Sequence, residues 1–119
     1  MASHAERTRL ADRILIEDFC TDPAGYLLDS AQWQPAFAVA QAALDSITLS
    51  PAHWEILHFL RAYHIEYAMA PPMRLLTKAV AMRLGADKGN SLYLYQLFPD
   101  GPAKQACRYA GLPKPVSCI

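Results

Sequence analysis

Nine prolines and five glycines punctuate this chain of 119 residues, and their positions restrict it to short helices joined by tight breaks. Proline fixes φ and lacks an amide hydrogen, so it opens a helix but cannot continue one. Pro35 falls in the first turn of the Ala-rich stretch from Gln34 to Leu44, which is expected to be helical. Ser50-Pro51 opens a longer helix over 51–68, with Ser as N-cap and Pro in the first position. Within it Ile56, Phe59, Leu60, Tyr63 and Tyr67 fall at i, i+3, i+4, i+7 and i+11, and Trp54 and Leu57 widen the stripe. That periodicity marks a central, largely buried helix. Ala70-Pro71-Pro72 breaks it, and the next helix runs from about Pro72 to Leu84 before Gly85. Gly89-Asn90-Ser91 caps a short helix over 91–98. Pro99-Asp100-Gly101 is a turn, and Pro102 starts a last helix that Gly111 ends. Two prolines in 112–119 forbid further helix, so this segment is expected to be an extended arm.

The N-terminal part reads differently. Residues 1–12 form a polar, mobile tail. The β-prone run Ile14 to Phe19, the turn Asp22-Pro23-Ala24-Gly25 and Tyr26-Leu27-Leu28 together predict a small hairpin.

Hydrophobic residues make up 53% of the chain and charged ones 18%, enough to build a core and too apolar for a disordered chain. Eleven basic and eleven acidic residues cancel, so no bulk polycation is available to nucleic acid. The charge is uneven, however. Residues 1–73 hold four Lys/Arg against nine Asp/Glu, and residues 74–119 hold seven against two. The C-terminal part is the face for an anionic ligand or acidic partner. No apolar run approaches the roughly 18 residues of a membrane span, and MASHAERTRLADR lacks the apolar core of a signal peptide. A cytoplasmic protein without membrane insertion is expected. No CxxC, HExxH or GxGxxG occurs, and His4, His53, His58 and His64 offer no i,i+4 pair; neither a metal site nor a cofactor is expected.

The candidate chemistry lies in the cysteines. Cys20, Cys107 and Cys118 are an odd count at irregular spacing, a poor disulfide framework and a better fit to reactive thiols. Cys118 is the penultimate residue, on the Pro-braced arm, and an exposed thiol there fits a group carrier. Cys107 lies eleven residues earlier on the last helix. Lys104, Arg108 and Lys114 are its basic neighbours in sequence, and positive neighbours favour the nucleophilic thiolate. Gly111 lets the arm turn back towards Cys107. Two ordinary cysteines in a small basic tail would present the same pattern.

The stretch Gly101-Pro-Ala-Lys-Gln-Ala-Cys-Arg-Tyr-Ala-Gly-Leu-Pro-Lys-Pro-Val-Ser-Cys-Ile119 resembles the C-terminal motif of the DsrC/TusE family of sulfur-relay proteins. Leu49 to Glu55, Leu76 to Ala79, Lys88 to Ser91, Tyr93-Leu94-Tyr95 and Leu97-Phe98-Pro99 match upstream, as do Asp22, Gly25 to Leu27 and Trp33. The resemblance covers roughly residues 22–119. It implies an α+β, mainly helical fold in a single domain over 1–119: a small N-terminal β-hairpin or meander packed on a helical bundle with a flexible C-terminal arm. It also implies transfer of sulfane sulfur as a persulfide on Cys118. TusE-like members keep the penultimate cysteine and pass sulfur toward tRNA 2-thiouridine through a thiouridylase. DsrC-like members keep both cysteines and serve dissimilatory sulfite reductase. Cys107 fits the two-cysteine pattern, while 113–119 and 49–55 read equally like TusE. The implied donors are DsrEFH- or TusBCD-like relay proteins. A carrier component, rather than an enzyme with independent turnover, is the expected role.

Lys104, Arg108 and Lys114 are expected to stabilise the persulfide or bind partners. Arg74, Lys78 and Arg83 share one helix and could dock an acidic partner or form a solvated face. Trp33, Trp54, Tyr93 and Tyr95 are expected in the core or at its rim. The histidines are expected at helix surfaces or as satisfied interface groups. From another class, the helices over 51–68, 72–84 and 91–98 could form a helix-turn-helix-like segment of a DNA-binding regulator. Against it, Ser91 to Phe98 contains no Lys or Arg for phosphate contacts.

Overall fold

The structure, a computed structural model, describes residues 19–115. Among the described residues, a 3-10 turn at Ser30–Gln32 precedes five helices: α1 (Pro35–Leu44), α2 (Pro51–Tyr67), α3 (Met73–Leu84), α4 (Ser91–Leu97) and α5 (Pro102–Tyr109). Their bounds follow the proline and glycine punctuation closely, because each break removes a backbone bond that the helix needs.

Local chemistry fixes each start. Ser50 caps α2, and the side chain of His53 accepts in return from the Ser50 amide at 3.0 Å. This is a capping box with histidine in the place usually held by Glu or Gln. The other ring nitrogen, Nε2, lies 2.8 Å from the Leu97 carbonyl; as donor there it satisfies a buried histidine at both ends. Asn90 caps α4 by accepting from the Tyr93 amide at 2.9 Å. α2 closes on Ala68 in the left-handed region at φ 56°, ahead of the proline pair.

The core gathers Ala38 and Ala42 of α1, Ile56, Leu57 and Leu60 of α2, and Leu76 and Val80 of α3. Leu94, Phe98, Ala103, Ala106, Cys107, Tyr109, Ala110 and Leu112 complete its C-terminal side. Trp33, Trp54 and Tyr93 pack half-buried at its edge. α5 is the hub, since it packs against each of the other four helices. The short C-terminal helix, not the long α2, therefore joins the molecule together.

The N-terminal hairpin is not supported. Among the described residues there is no strand, only one antiparallel bridge between Thr21 and Leu27. The turn itself forms: Asp22 Oδ1 accepts from the amides of Ala24 and Tyr26, each at 2.9 Å. A self-capping Asp turn needs no strand on either side. Ile14 to Asp18, the rest of the expected first strand, lie outside the described residues. Nothing supports the DNA-binding alternative either. α4 is two turns long, without a basic residue, and Leu94 is buried in the core.

Candidate functional site

α5 carries the site because its two faces differ. Ala103, Ala106, Cys107 and Ala110 recur at i, i+3, i+4 and i+7 and face the core, while Lys104 and Arg108 form the outer strip. The Cys107 side chain is 0% exposed, and burial pushes its thiol up to about 12. This corrects the expectation that Lys104, Arg108 and Lys114 favour a Cys107 thiolate. Adjacency in sequence is not adjacency in a helix, and desolvation of the anion governs this thiol.

The three basic residues do come together, but around a different feature. Lys104, Arg108 and Lys114 line a cavity of about 240 Å³ with Ala24, Tyr26, Asp100 and Gln105. Arg108 is held in place by an ion pair with Asp45, just past α1. The same Asp45 oxygen accepts from Tyr109 Oη at 2.6 Å, and Gln105 Nε2 donates to Tyr109 Oη at 2.8 Å. Burial first, then the bond to Asp45, pushes the Tyr109 phenol up to about 12. Lys104 and Lys114 remain exposed.

The exit of the chain from α5 is built with equal care. Leu112 N donates to Cys107 O at 3.0 Å and Gly111 N to Arg108 O at 3.4 Å, with Gly111 at φ +72°. These are the paired bonds of a Schellman turn, and Leu112 supplies its apolar contact by entering the core. The next two carbonyls are taken by side chains. Trp33 Nε1 donates to Tyr109 O at 2.9 Å and Arg61 Nη1 to Ala110 O at 2.7 Å. Arg61 also lies over the Trp33 ring, 4.4 Å from its centroid. A Cβ at position 111 would stand 2.4 Å from Trp33 Cδ1, so glycine is required there by space as well as by φ. Of the expected arm, 112–115 is irregular, with Leu112 and Pro115 buried and Pro113 and Lys114 exposed. Cys118 lies outside the described residues.

The other singled-out residues sit apart from this cavity. Cys20 is an exposed free thiol. Arg74 and Lys78 are exposed on α3, and Arg83 reaches Glu66 across 3.7 Å of solvated surface. His58 stacks on Trp54 and meets Trp33 edge-on. Trp54, His58 and Tyr93 line a second, more open cleft of about 660 Å³ with the Glu55–Lys88 ion pair. No group of three or more His, Cys, Asp or Glu able to hold a metal occurs among the described residues. Nor is any described helix long and apolar enough to cross a membrane.

Tyr26, Asp45 and Arg61 are the site residues that the sequence did not announce. For Arg61 a signal existed: it is the one basic residue between Arg13 and Arg74, set beside the apolar stripe of α2. Nothing in the sequence pairs Asp45 with residues more than sixty positions away.

These features define a small helical protein whose last helix launches a cysteine-bearing tail from its own core. The family model described as DsrC like protein matches residues 14–119, and the chain belongs to that family. Sulfurtransferase TusE of Escherichia coli (strain K12) is 54% identical over 99 residues, spanning 83% of this chain and 91% of that protein. The NMR structure of Allochromatium vinosum DsrC is 54% identical, with a TM-score of 0.78 over 85% of this chain and 90% of that one. The oxidised γ-subunit of dissimilatory sulfite reductase (DsrC) from Archaeoglobus fulgidus is 42% identical, with a TM-score of 0.71 over 85% and 92%.

Proposed function

We propose that the chain is a cytoplasmic sulfur carrier, with Cys118 as the thiol that accepts and donates sulfane sulfur. The observation that carries this is membership of the DsrC-like family through residue 119, together with a relative named a sulfurtransferase at 54% identity. The Cys118 thiolate attacks the outer sulfur of a donor persulfide; the new S–S bond leaves a persulfide on Cys118, and the donor departs as a thiolate. The same exchange in reverse loads an acceptor. The donor is a relay protein of the DsrEFH or TusBCD kind. The acceptor is dissimilatory sulfite reductase or a tRNA thiouridylase.

Cys107 is the resolving thiol. Once opened to solvent and deprotonated, it attacks Sγ of the Cys118 persulfide, forming the Cys107–Cys118 disulfide and expelling the outer sulfur as hydrosulfide. No external oxidant is needed, because the sulfane sulfur takes up both electrons. Lys104, Arg108 and Lys114 steady the anionic persulfide at the cavity they line.

Incubation with a donor persulfide, followed by peptide mapping of wild type and Cys118→Ser, tests the assignment. A gain of one sulfur mass on the peptide containing Cys118, absent in Cys118→Ser, is expected. Undiminished labelling of Cys118→Ser would remove Cys118 from the role. Adding sulfite reductase or thiouridylase to the loaded protein then identifies the acceptor by which one strips the label.

A further inference from the structure

We propose that Tyr26 is the gate over Cys107, and that the cavity lined by Tyr26, Lys104, Arg108 and Lys114 is the entrance through which the sulfur of the arm reaches that thiol. This deepens the carrier reading, because a resolving cysteine that is wholly buried needs a way to be reached.

Cys107 sits at the edge of the buried face of α5. Its helical neighbour on the exposed strip is Lys104, three residues earlier, and Lys104 borders the cavity. Tyr26 lies between. Its hydroxyl donates to the Lys104 carbonyl at 3.3 Å, and its ring is buried in the same core cluster as Cys107 while also lining the cavity. Burial first, then Cys107, holds the phenol above its usual pKa.

The segment that carries Tyr26 can be released. Among the described residues, most bonds of 20–28 are internal: Asp22 with Ala24, Gly25 and Tyr26, and Leu28 with Cys20. Two side-chain bonds tie it to the helices, Tyr26 Oη to Lys104 O and Gln41 Nε2 to Gly25 O at 2.7 Å, beside the Phe19–Phe37 ring contact and the buried side chains of Tyr26 and Leu27. Lifting the Tyr26 ring breaks its bond and exposes its buried face, a local opening confined to one turn that leaves the helices behind it in place. Lys114 itself lines the cavity, and the four residue steps from it to Cys118 span at most about 14 Å. The cationic rim suits an incoming thiolate or persulfide.

The test needs no sulfur donor, so it stands or falls separately from the carrier assignment. In a Cys20→Ser/Cys118→Ser background Cys107 is the sole thiol, and its alkylation by neutral iodoacetamide is followed at fixed pH. Tyr26→Ala should raise the rate at least tenfold and Tyr26→Phe a few-fold. Leu60→Ala, a core change outside the cavity lining, should raise it less than Tyr26→Ala at equal or greater loss of global stability in denaturant melts. Entry through the cationic cavity has its own mark. In Tyr26→Phe, anionic iodoacetate should gain on iodoacetamide relative to a free thiol, and adding Lys104→Gln should abolish that gain. Rates unchanged in both Tyr26 variants, or an equal rise in Leu60→Ala, would overturn the gate. A reagent ratio indifferent to Lys104→Gln would overturn the entrance.

Discussion

The end of α5 and the turn that covers its side are held in opposite ways. At the helix end the carbonyls of Cys107, Arg108, Tyr109 and Ala110 all have partners: two amides of the Schellman turn, the Trp33 indole and the Arg61 guanidinium. These are the groups a helix normally leaves to water. The 19–28 segment satisfies its turn locally and is tied to the helices by two side-chain hydrogen bonds, the Phe19–Phe37 ring contact and the buried side chains of Tyr26 and Leu27. Local opening favours regions with few long-range ties. The molecule therefore holds the backbone at the exit from α5 with two distant side chains, Trp33 and Arg61, and the backbone of the turn at 19–28 with one, Gln41. In the proposed carrier, with Cys118 presented and Cys107 concealed, that asymmetry has a use.

The contrast can be broken first at its foundation. Leu60 is 0% exposed in the middle of α2, and Leu60→Ala should cost about 2–5 kcal/mol through lost burial and a residual cavity. Denaturant melts give the value. A loss below about 0.5 kcal/mol would mean that the core on which both regions rest is not packed as described.

Gly111→Ala attacks the rigid region directly. The left-handed φ costs about 1–2 kcal/mol for a residue with a Cβ, and the 2.4 Å approach to Trp33 adds overpacking on the order of 1–3 kcal/mol. A total of about 2–5 kcal/mol is expected, with altered Trp33 fluorescence. A near-neutral Gly111→Ala would show that the exit from α5 is adjustable, and the comparison would fail on that side.

Arg61→Leu should cost about 1–3 kcal/mol, because a charged donor to the Ala110 carbonyl and to Ser30 O is lost. Its amide exchange should quicken around 109–112 rather than around 22–27. Exchange quickening equally in both places would mean that the two regions open as one unit.

Much of the helical frame was legible because its signals are local. Ser50-Pro51, Asn90, Gly85 and Pro102 act on the backbone within one turn. Gly111 marked the end of α5 for the same reason. The surroundings of Cys107 were misjudged from Lys104 and Arg108 because chain neighbours were weighed before helical phase. The phase was available in Ala103, Ala106, Cys107 and Ala110. The expected hairpin rested on β-prone residues, yet the Asp22 turn closes on its own side chain. Asp45, by contrast, gave no local sign, since its partners Gln105, Arg108 and Tyr109 come from the far end of the chain.

The smallest expected effect falls on the releasable region. Gln41 is buried on α1 and spends its amide on the Gly25 carbonyl. Gln41→Leu keeps the volume nearly constant and removes that bond, so global stability should fall by about 0.5–1.5 kcal/mol. The local consequence should be out of proportion to the global one. With one of the two side-chain bonds gone, amides of 22–27 should exchange several-fold faster while those of 107–112 keep their protection, because the latter depend on Trp33 and Arg61. Hydrogen exchange with peptide-level resolution separates the two sets. Equal acceleration of both would tie the cover to the helix end and remove the difference in restraint on which a concealed, releasable thiol depends.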